Sequence, residues 1–155
     1  MRMISLGIPV IIASCFCFSC GSDTVYSKFQ PVRDRQWDKH VEYRFEFEIK
    51  DRSVPYNVQL QIRNSDMYAY QNLWLICREQ QPGDISLSDT AECMLADDFG
   101  KWKSRGITLF QHRLTLREHY IFPDTGRYAI GIRHGMRDAR LNGIEDVGLL
   151  IEKAK

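Results

Sequence analysis

Three cysteines near the N-terminus are the residues whose type and spacing most clearly indicate chemistry. Cys15 and Cys17 lie near the end of a low-charge stretch, residues 3–19, which follows a single arginine, Arg2, and Cys20 comes directly after that stretch. A short charged start, an apolar middle and a small residue before a cysteine form the pattern that export and lipidation enzymes recognise. The sequence therefore predicts a lipoprotein signal peptide, with one cysteine sulfur alkylated by a diacylglyceryl group.

The same stretch is a poor candidate for a transmembrane helix. A helix over residues 3–19 would be about 25 Å long, whereas the hydrocarbon core of a bilayer is about 30 Å thick. Pro9 would kink that helix, and the polar residues 21–24 do not extend it. Acyl chains are therefore the expected anchor.

Two cysteines compete for the lipid. Cys15 follows Ile-Ala-Ser, which fits the recognition pattern by residue type, while Cys20 lies between Ser19 and Gly21 and gives a signal of more ordinary length. We favour Cys20 and keep Cys15 as the alternative. The predicted organisation is a signal peptide at 1–19, a lipidated tether and entry segment at 20–40, and a single domain at 41–155.

The remaining residues show no catalytic or metal-binding spacing. The four histidines form no HExxH motif, no serine lies in a GxSxG motif, and no glycine-rich phosphate loop is present. Asp97 and Asp98 lack the alternating oxygen ligands of a calcium loop and predict a turn. We expect no enzyme activity, no metal, no cofactor and no small-molecule substrate.

The net charge and the two remaining cysteines bear on nucleic-acid binding and on disulfide formation. Without Arg2, the 21 basic side chains become 20 and match the 20 acidic ones, which gives no reason to expect a nucleic-acid partner. Export implies an oxidising compartment. Cys77 and Cys93 could be bridged there, but we favour two free thiols.

A few residues are candidates for an interaction surface. Trp37 and Trp102 lie among polar residues, where exposure of an aromatic ring is credible, whereas Trp74 lies in an apolar segment and is expected in the core. Arg137 and Asp138 place charges between the last two predicted strands. They could bind a partner, although mutual pairing or capping of their loop is slightly favoured.

Alternating segments predict an all-β domain. Residues 41–50 alternate without interruption, with five apolar residues on one face and five charged residues on the other. Residues 73–78 are apolar on both faces up to the final Arg78, as in a central strand covered on both sides. His134 falls in phase with apolar neighbours and is expected at the edge of the core, and the turn at residues 82–84 predicts a hairpin. About seven short strands predict an antiparallel β-sandwich, immunoglobulin-like or jelly-roll-like.

A series of short segments, spread over almost the whole mature sequence, is informative through its order. The segments are Phe45-Glu46-Phe47-Glu48-Ile49-Lys50-Asp51, Pro55-Tyr56-Asn57, Ile62-Arg63-Asn64, Tyr70-Gln71-Asn72-Leu73, Asp89-Thr90, Leu95-Ala96, Gly100-Lys101-Trp102, Phe122-Pro123, Gly126-Arg127-Tyr128, Met136-Arg137-Asp138, Leu141, Gly143-Ile144, Val147-Gly148-Leu149 and Ile151-Glu152-Lys153. No single segment is specific, but their number and order are. Taken together, they closely resemble the gliding motility lipoprotein GldH family.

The resemblance implies a lipid-anchored protein of the cell envelope, without established enzymatic activity, which serves gliding motility and a linked secretion system. Acyl chains would hold it to a membrane on the periplasmic side, the outer membrane being favoured over the inner, and its partners would be other envelope proteins. The alternative is a carbohydrate-binding lipoprotein, which requires Trp37, Trp102, Tyr68 and Tyr70 to align on one exposed face.

Overall fold

The computed structural model describes residues 23–155; the predicted signal peptide and both candidate lipidation sites, Cys15 and Cys20, lie outside the described residues. Within residues 23–155, no helix is long and apolar enough to cross a membrane. Residues 23–155 form ten strands and one short 3₁₀ turn, Arg33–Arg35. The strands are β1 (Thr24–Pro31), β2 (Gln36–Asp38), β3 (Tyr43–Ile49), β4 (Tyr56–Asn64), β5 (Asn72–Gln81), β6 (Ile85–Met94), β7 (Phe110–Tyr120), β8 (Gly126–His134), β9 (Arg140–Asn142) and β10 (Ile144–Lys153).

Eight of these strands form two antiparallel sheets that pack face to face. The first sheet has the order β1-β10-β4-β7, and the second has the order β3-β8-β5-β6. The chain changes sheet at every connection between these strands except the β5–β6 hairpin. This is the strand order of a jelly roll, so the predicted antiparallel β-sandwich is confirmed and its jelly-roll form is the one adopted.

The core follows from the two-residue period of the strands. In β3, Tyr43, Phe45, Phe47 and Ile49 are buried, while the charged residues between them are exposed. The facing sheet contributes Val58, Leu60 and Ile62 from β4 and apolar residues of β10. Because a one-residue slip would bring charges into this core, the alternation fixes the register of the sheet.

The two ends of the sandwich differ. Strand β1 begins at the end that also carries the connections 50–55, 82–84 and 121–125, which we call the N-terminal end. The opposite end, called the loop end, carries the longer connections 32–42, 65–71, 95–109 and 135–143. The small sheet β2-β9 belongs to the loop end and covers the core there through Trp37 and Leu141.

The boundary between tether and domain is earlier than the sequence indicated. Residues 24–38 were expected in a tether, yet β1 pairs with β10 along most of its length and β2 pairs with β9. Their polar side chains belong to an edge strand and a short ribbon, which need only one buried face. The sandwich therefore begins at Thr24, and three residues separate it from Cys20.

In each sheet, a glycine lets a side chain at the sheet edge cross the neighbouring strand. In the first sheet, the Phe29 ring of β1 lies over Gly148 of β10, and the Arg63 guanidinium of β4 stacks on that ring at 3.7 Å from its centre. A methyl group at Gly148 would lie 2.6 Å from Cδ1 of Phe29. Phe29 thus ties the edge strand β1 to the third strand of its sheet.

In the second sheet, Glu42, which precedes β3, lies over Gly131 of β8, and its carboxylate is 3.9 Å from the Arg78 guanidinium on β5. Here the atoms above the glycine are the end of a flexible side chain. Gly131 therefore provides a matched comparison for Gly148.

We expect Gly148→Ala to lower the free energy of unfolding by about 1–3 kcal/mol, because the methyl group displaces Phe29 and breaks its contact with Arg63. Gly131→Ala is expected to change it by less than about 0.5 kcal/mol, since Glu42 can swing away. Urea denaturation of both variants measures the difference. Equal losses would show that Phe29 does not tie β1 to the sheet.

Candidate interaction site at the open side of the sandwich

The sandwich has one closed side and one open side. On the closed side, the edge strands β1 and β3 meet: the Gln30 side-chain amide donates to the Arg44 carbonyl at 2.7 Å, and the Tyr26 and Phe47 rings lie 5.8 Å apart. On the other side, the edge strands β6 and β7 leave a cleft that leads towards the core. This open side is the candidate site.

The cleft is small and mostly apolar. Its volume is about 40 Å³, room for a few water molecules or one short side chain rather than a cofactor. Its walls come from both sheets and are formed by Val58, Cys77, Glu79, Leu87, Asp89, Ala91, Leu116, Arg117, Phe122 and Ile130.

Arg117 bridges the cleft. Its guanidinium lies 3.9 Å from the carboxylate of Glu79 on β5 and 3.9 Å from that of Asp89 on β6. Two irregularities in the pairing of β4 with β7 flank Arg117, and such bulges re-aim a side chain. Glu79 is almost fully buried and also accepts a hydrogen bond from the Gln81 side chain at 2.8 Å. The 3.9 Å separations exceed hydrogen-bond length, so both pairs are purely electrostatic.

Cys77 lies in the wall of the cleft as a free thiol, and Cys93 is a second free thiol in the core. The prediction of two free thiols is confirmed. In the register of β5 and β6, Cys77 lies opposite Asp89 and Cys93 lies opposite Leu73, so the two cysteines are offset by four residues along the strands. Burial raises the pKa of the Cys77 thiol to about 11. The Asp89 charge adds to this effect and the Arg117 charge opposes it.

A second concavity, of about 570 Å³, lies on the outer face of the second sheet near the N-terminal end. It is shallow, and its exposed charges include Arg44, Glu46, Glu48 and Arg127. Arg44 is already engaged, since it donates to Glu46 at 3.0 Å and to Gln80 at 2.7 Å. This groove lacks an exposed aromatic ring on which a sugar could stack.

Trp37 is not a surface residue, so its place in the expected interaction surface is wrong. Its side chain is 0% exposed, and its indole N–H donates to the Val41 carbonyl at 3.0 Å. Its ring makes edge contacts with Tyr43 and His134. The polar neighbours that suggested exposure lie on the other face of β2, because this short strand alternates and pairs with β9.

His134 is a core histidine, deeper than its expected place at the edge. It is fully buried, Nε2 lies 3.1 Å from the Trp37 carbonyl, and Nδ1 has no hydrogen-bond partner. Burial lowers its pKa, so the neutral ring is favoured.

The other three predicted site residues lie at the loop end. Trp102 is half-buried against Phe110, with ring centres 5.5 Å apart. Arg137 and Asp138 are exposed in the β8–β9 connection, and Asp138 accepts a hydrogen bond from the Tyr70 hydroxyl instead of pairing with Arg137. Trp37 lies at the same end, so all four residues are at one end of the sandwich, but they do not share one surface because Trp37 is buried.

The aromatic face required for glycan binding is not formed by the four residues named for it. Trp37 and Tyr68 are buried, Trp102 is half-buried, and only Tyr70 is exposed. Trp74, expected in the core, is 41% exposed. Strand β5 is central within its sheet, but no second layer of the described part of the chain covers the outer face on which Trp74 lies.

The turn predicted at Asp97 is present: its carboxylate accepts the backbone N–H groups of Phe99 and Lys101 at 3.0 and 2.9 Å. Across residues 23–155, no group of three or more His, Cys, Asp or Glu side chains is arranged to hold a metal ion.

Sequence reasoning missed Arg117, Glu79 and Asp89. A weak signal existed, since β6 alternates Ile85, Leu87, Asp89, Ala91 and Cys93 on one face with few charges. The pairing of Arg117 with that face depends on the bulges in β7, for which the sequence gives no local signal.

Fold and site together define a class: a jelly-roll sandwich whose accessible features are a sheet edge, a narrow cleft and a set of loops. The chain belongs to the GldH lipoprotein family, whose model matches residues 24–151. The resemblance noted in the sequence is therefore confirmed. A lipoprotein is held to a membrane by its acyl chains, so membership indicates a membrane-anchored protein of the cell envelope.

Two relatives cover most of the chain. The "Gliding motility lipoprotein GldH homolog" of Christiangramia forsetii is 31% identical over 144 residues, which cover 88% of each chain. The "Gliding motility lipoprotein GldH" of Flavobacterium johnsoniae is 28% identical over 161 aligned positions, which cover 99% of each chain. Among solved structures, TmCBM61 in complex with β-1,4-galactotriose has a TM-score of 0.36 at 10% identity, covering 83% of this chain and 88% of that one. That similarity is too low to support any argument.

We expect the thiols of Cys77 and Cys93 to resist alkylation by iodoacetamide at pH 8 in the native protein and to react fully in guanidinium chloride. A pKa of about 11 instead of 9 lowers the thiolate fraction about 100-fold at that pH. Mass spectrometry of wild type and Cys77→Ala assigns each modification. Rapid native labelling of Cys77 would instead make the cleft the site of a reactive thiol.

Proposed function

We propose that this protein is a lipid-anchored, non-catalytic component of the gliding motility machinery and its associated secretion apparatus. Membership of the GldH lipoprotein family and the names of both relatives support the assignment. Its role is to hold other envelope proteins in place. Neither a nucleic acid nor a small-molecule substrate is part of this role.

The short distance between the predicted anchor and the sandwich is the observation that carries the proposal. From Cys20 to Asp23 the chain can reach at most about 11 Å, whereas from Cys15 it could reach about 29 Å. With Cys20 acylated, the N-terminal end of the sandwich lies against the membrane. The main strands, up to about ten residues each, then extend about 30 Å away from it.

The loop end is therefore presented to partners. It carries two apolar side chains that face solvent almost completely, Phe99 at 97% and Ile107 at 94% exposure. Arg137 and Asp138 lie at the same end. Large exposed apolar groups beside charges are typical of protein interaction surfaces.

A non-catalytic role is supported by the chemistry of the cleft. The raised pKa of Cys77 disfavours a nucleophilic thiolate, and the charges of Arg117, Glu79 and Asp89 neutralise one another in part. We place the anchor in the periplasmic leaflet of the outer membrane, in preference to the inner membrane.

Lipidation at Cys20 is tested by metabolic labelling with an alkyne fatty acid. Cys20→Ala should abolish labelling and release the protein from the membrane fraction, because two or three acyl chains are the expected anchor. Cys15→Ala is the matched control and should label normally. The reverse result would move the anchor to Cys15 and remove the constraint on orientation.

Function is tested by photocrosslinking in native cells from the two ends of the sandwich. A benzophenone amino acid at Arg137 or Phe99, on the loop end, should capture proteins of the motility or secretion apparatus, and Cys20→Ala should reduce that capture. The same probe at Asp124, on the N-terminal end, should capture phospholipid instead. If probes at the loop-end positions crosslinked no other protein, the result would contradict the proposal.

A further inference from the structure

We infer that β6 (Ile85–Met94) is a docking edge, which receives an extended segment of a partner envelope protein as an added strand, with one short aliphatic side chain of that segment seated in the cleft beside it. This inference deepens the proposed function, because it names the surface and the conformation of the partner.

The other three edge strands carry features that prevent strand addition. Strand β1 has a bulge near Thr24, ends at Pro31, and places Lys28 on the core side opposite Leu149. The Arg44 carbonyl of β3 is bonded by Gln30, and β7 has two bulges. Bulges, prolines and inward lysines are the devices by which natural edges avoid pairing.

Strand β6 differs from these three edges. It pairs with β5 in regular register over ten residue pairs, without a bulge. It contains no proline, the one charge on its core-facing side, Asp89, is paired with Arg117, and nearly all its residues are exposed. A long, regular and exposed edge of this kind is a template for another strand.

The hydrogen bond of Thr90 shows which backbone N–H groups of β6 point away from β5. The Thr90 N–H donates to the Asp89 carboxylate at 2.8 Å, so it points away from β5. Because hydrogen-bonding direction alternates along an antiparallel strand, the N–H groups of Ser86, Ser88 and Glu92 point the same way. The N–H groups of Ser86, Ser88 and Glu92 form the row that an added strand would bond, while the Thr90 N–H between them is already bonded to Asp89.

The cleft gives this edge its side-chain specificity. It opens beside Leu87, Asp89 and Ala91, the residues of β6 that face the other sheet, and its 40 Å³ suits a short aliphatic side chain. Within the described residues the Arg117 side chain forms ion pairs but no hydrogen bond, so its guanidinium N–H donors are available to a carbonyl of the incoming segment.

A second copy of this chain does not fit the edge. Two copies anchored in one leaflet through their N-terminal ends have β6 strands that point in the same direction. Symmetric pairing of β6 with itself in antiparallel fashion would require one copy to be inverted, with its anchor about 30 Å from the membrane. In the parallel arrangement that two upright copies allow, a two-fold axis would place each outward N–H of β6 level with the same N–H of the other copy, so the slanted bonds of a parallel ladder could not form. The occupant is therefore a segment of a different protein.

The test uses photocrosslinking from the full lipoprotein in native cells. Benzophenone probes at Ser86 and at Thr90, both on the outer face of β6, should attach to one segment of one partner. The two attachment points, mapped by mass spectrometry, should lie about four residues apart, because paired strands advance residue for residue. Their order shows whether the added strand is parallel or antiparallel.

Three variants separate strand addition from general contact. Ser88→Pro removes an N–H that points outwards and should reduce crosslinking about tenfold while preserving the β5 ladder. Leu87→Lys places a charge at the cleft and should reduce it similarly. Ser88→Lys is the matched control, because it adds the same charge on the outer face, and it should leave the yield unchanged. Thermal melting of each purified variant verifies folding.

The crosslinking results distinguish strand addition at β6 from other modes of binding. Crosslinks scattered over a partner, capture of a second copy, or yields that Ser88→Pro leaves unchanged would overturn the inference. Capture from Arg137 and Phe99 without capture from β6 would overturn it while leaving the proposed function intact. If no partner is captured from β6 or from the loop end, both the inference and the proposed function are wrong. If Ser88→Pro unfolds the protein, Leu87→Lys against Ser88→Lys gives the same comparison.

Discussion

Burial of one face of each sheet against the other is the constraint on which the rest of the structure depends. The inner faces contribute Phe45, Leu60, Ile130 and Leu149 to a single core, and removal of that apolar surface from water is the main force that holds the sheets together. Two packed sheets nevertheless leave two sides and two ends. How each of these is closed determines what the molecule presents to its surroundings.

The sides and ends of the sandwich are closed by contacts of different strength. Gln30 and Tyr26 close the side formed by β1 and β3, and the ribbon of β2 and β9 covers the loop end with Trp37. The side formed by β6 and β7 is bridged by the electrostatic contacts of Arg117 over a narrow cleft. Ion pairs that remain partly solvated are weaker than a packed interface, so this side is the most accessible route towards the core.

The glycines show how the edge strand next to the anchor is secured. Strand β1 is the first element after the predicted lipidation site and pairs with β10 on one side only. Phe29 passes over Gly148 and reaches Arg63, which extends the hold of the sheet to a third strand. A domain tethered through its first strand benefits from this contact, since tension on the tether is applied to β1.

Much of this protein was determined by the sequence alone. Alternation in residues 43–49 gave both the strand and its buried face, the turn at residues 82–84 gave the hairpin, and ordered short segments indicated the GldH family. Such patterns arise from neighbours two residues apart. Only the tertiary structure decided that Trp37 is buried against Leu141, that Trp74 is exposed, that residues 24–31 form a strand, and that Arg117 meets Glu79 and Asp89. These outcomes depend on which strands become neighbours, and strands far apart in the chain are brought together by the packing of the whole domain.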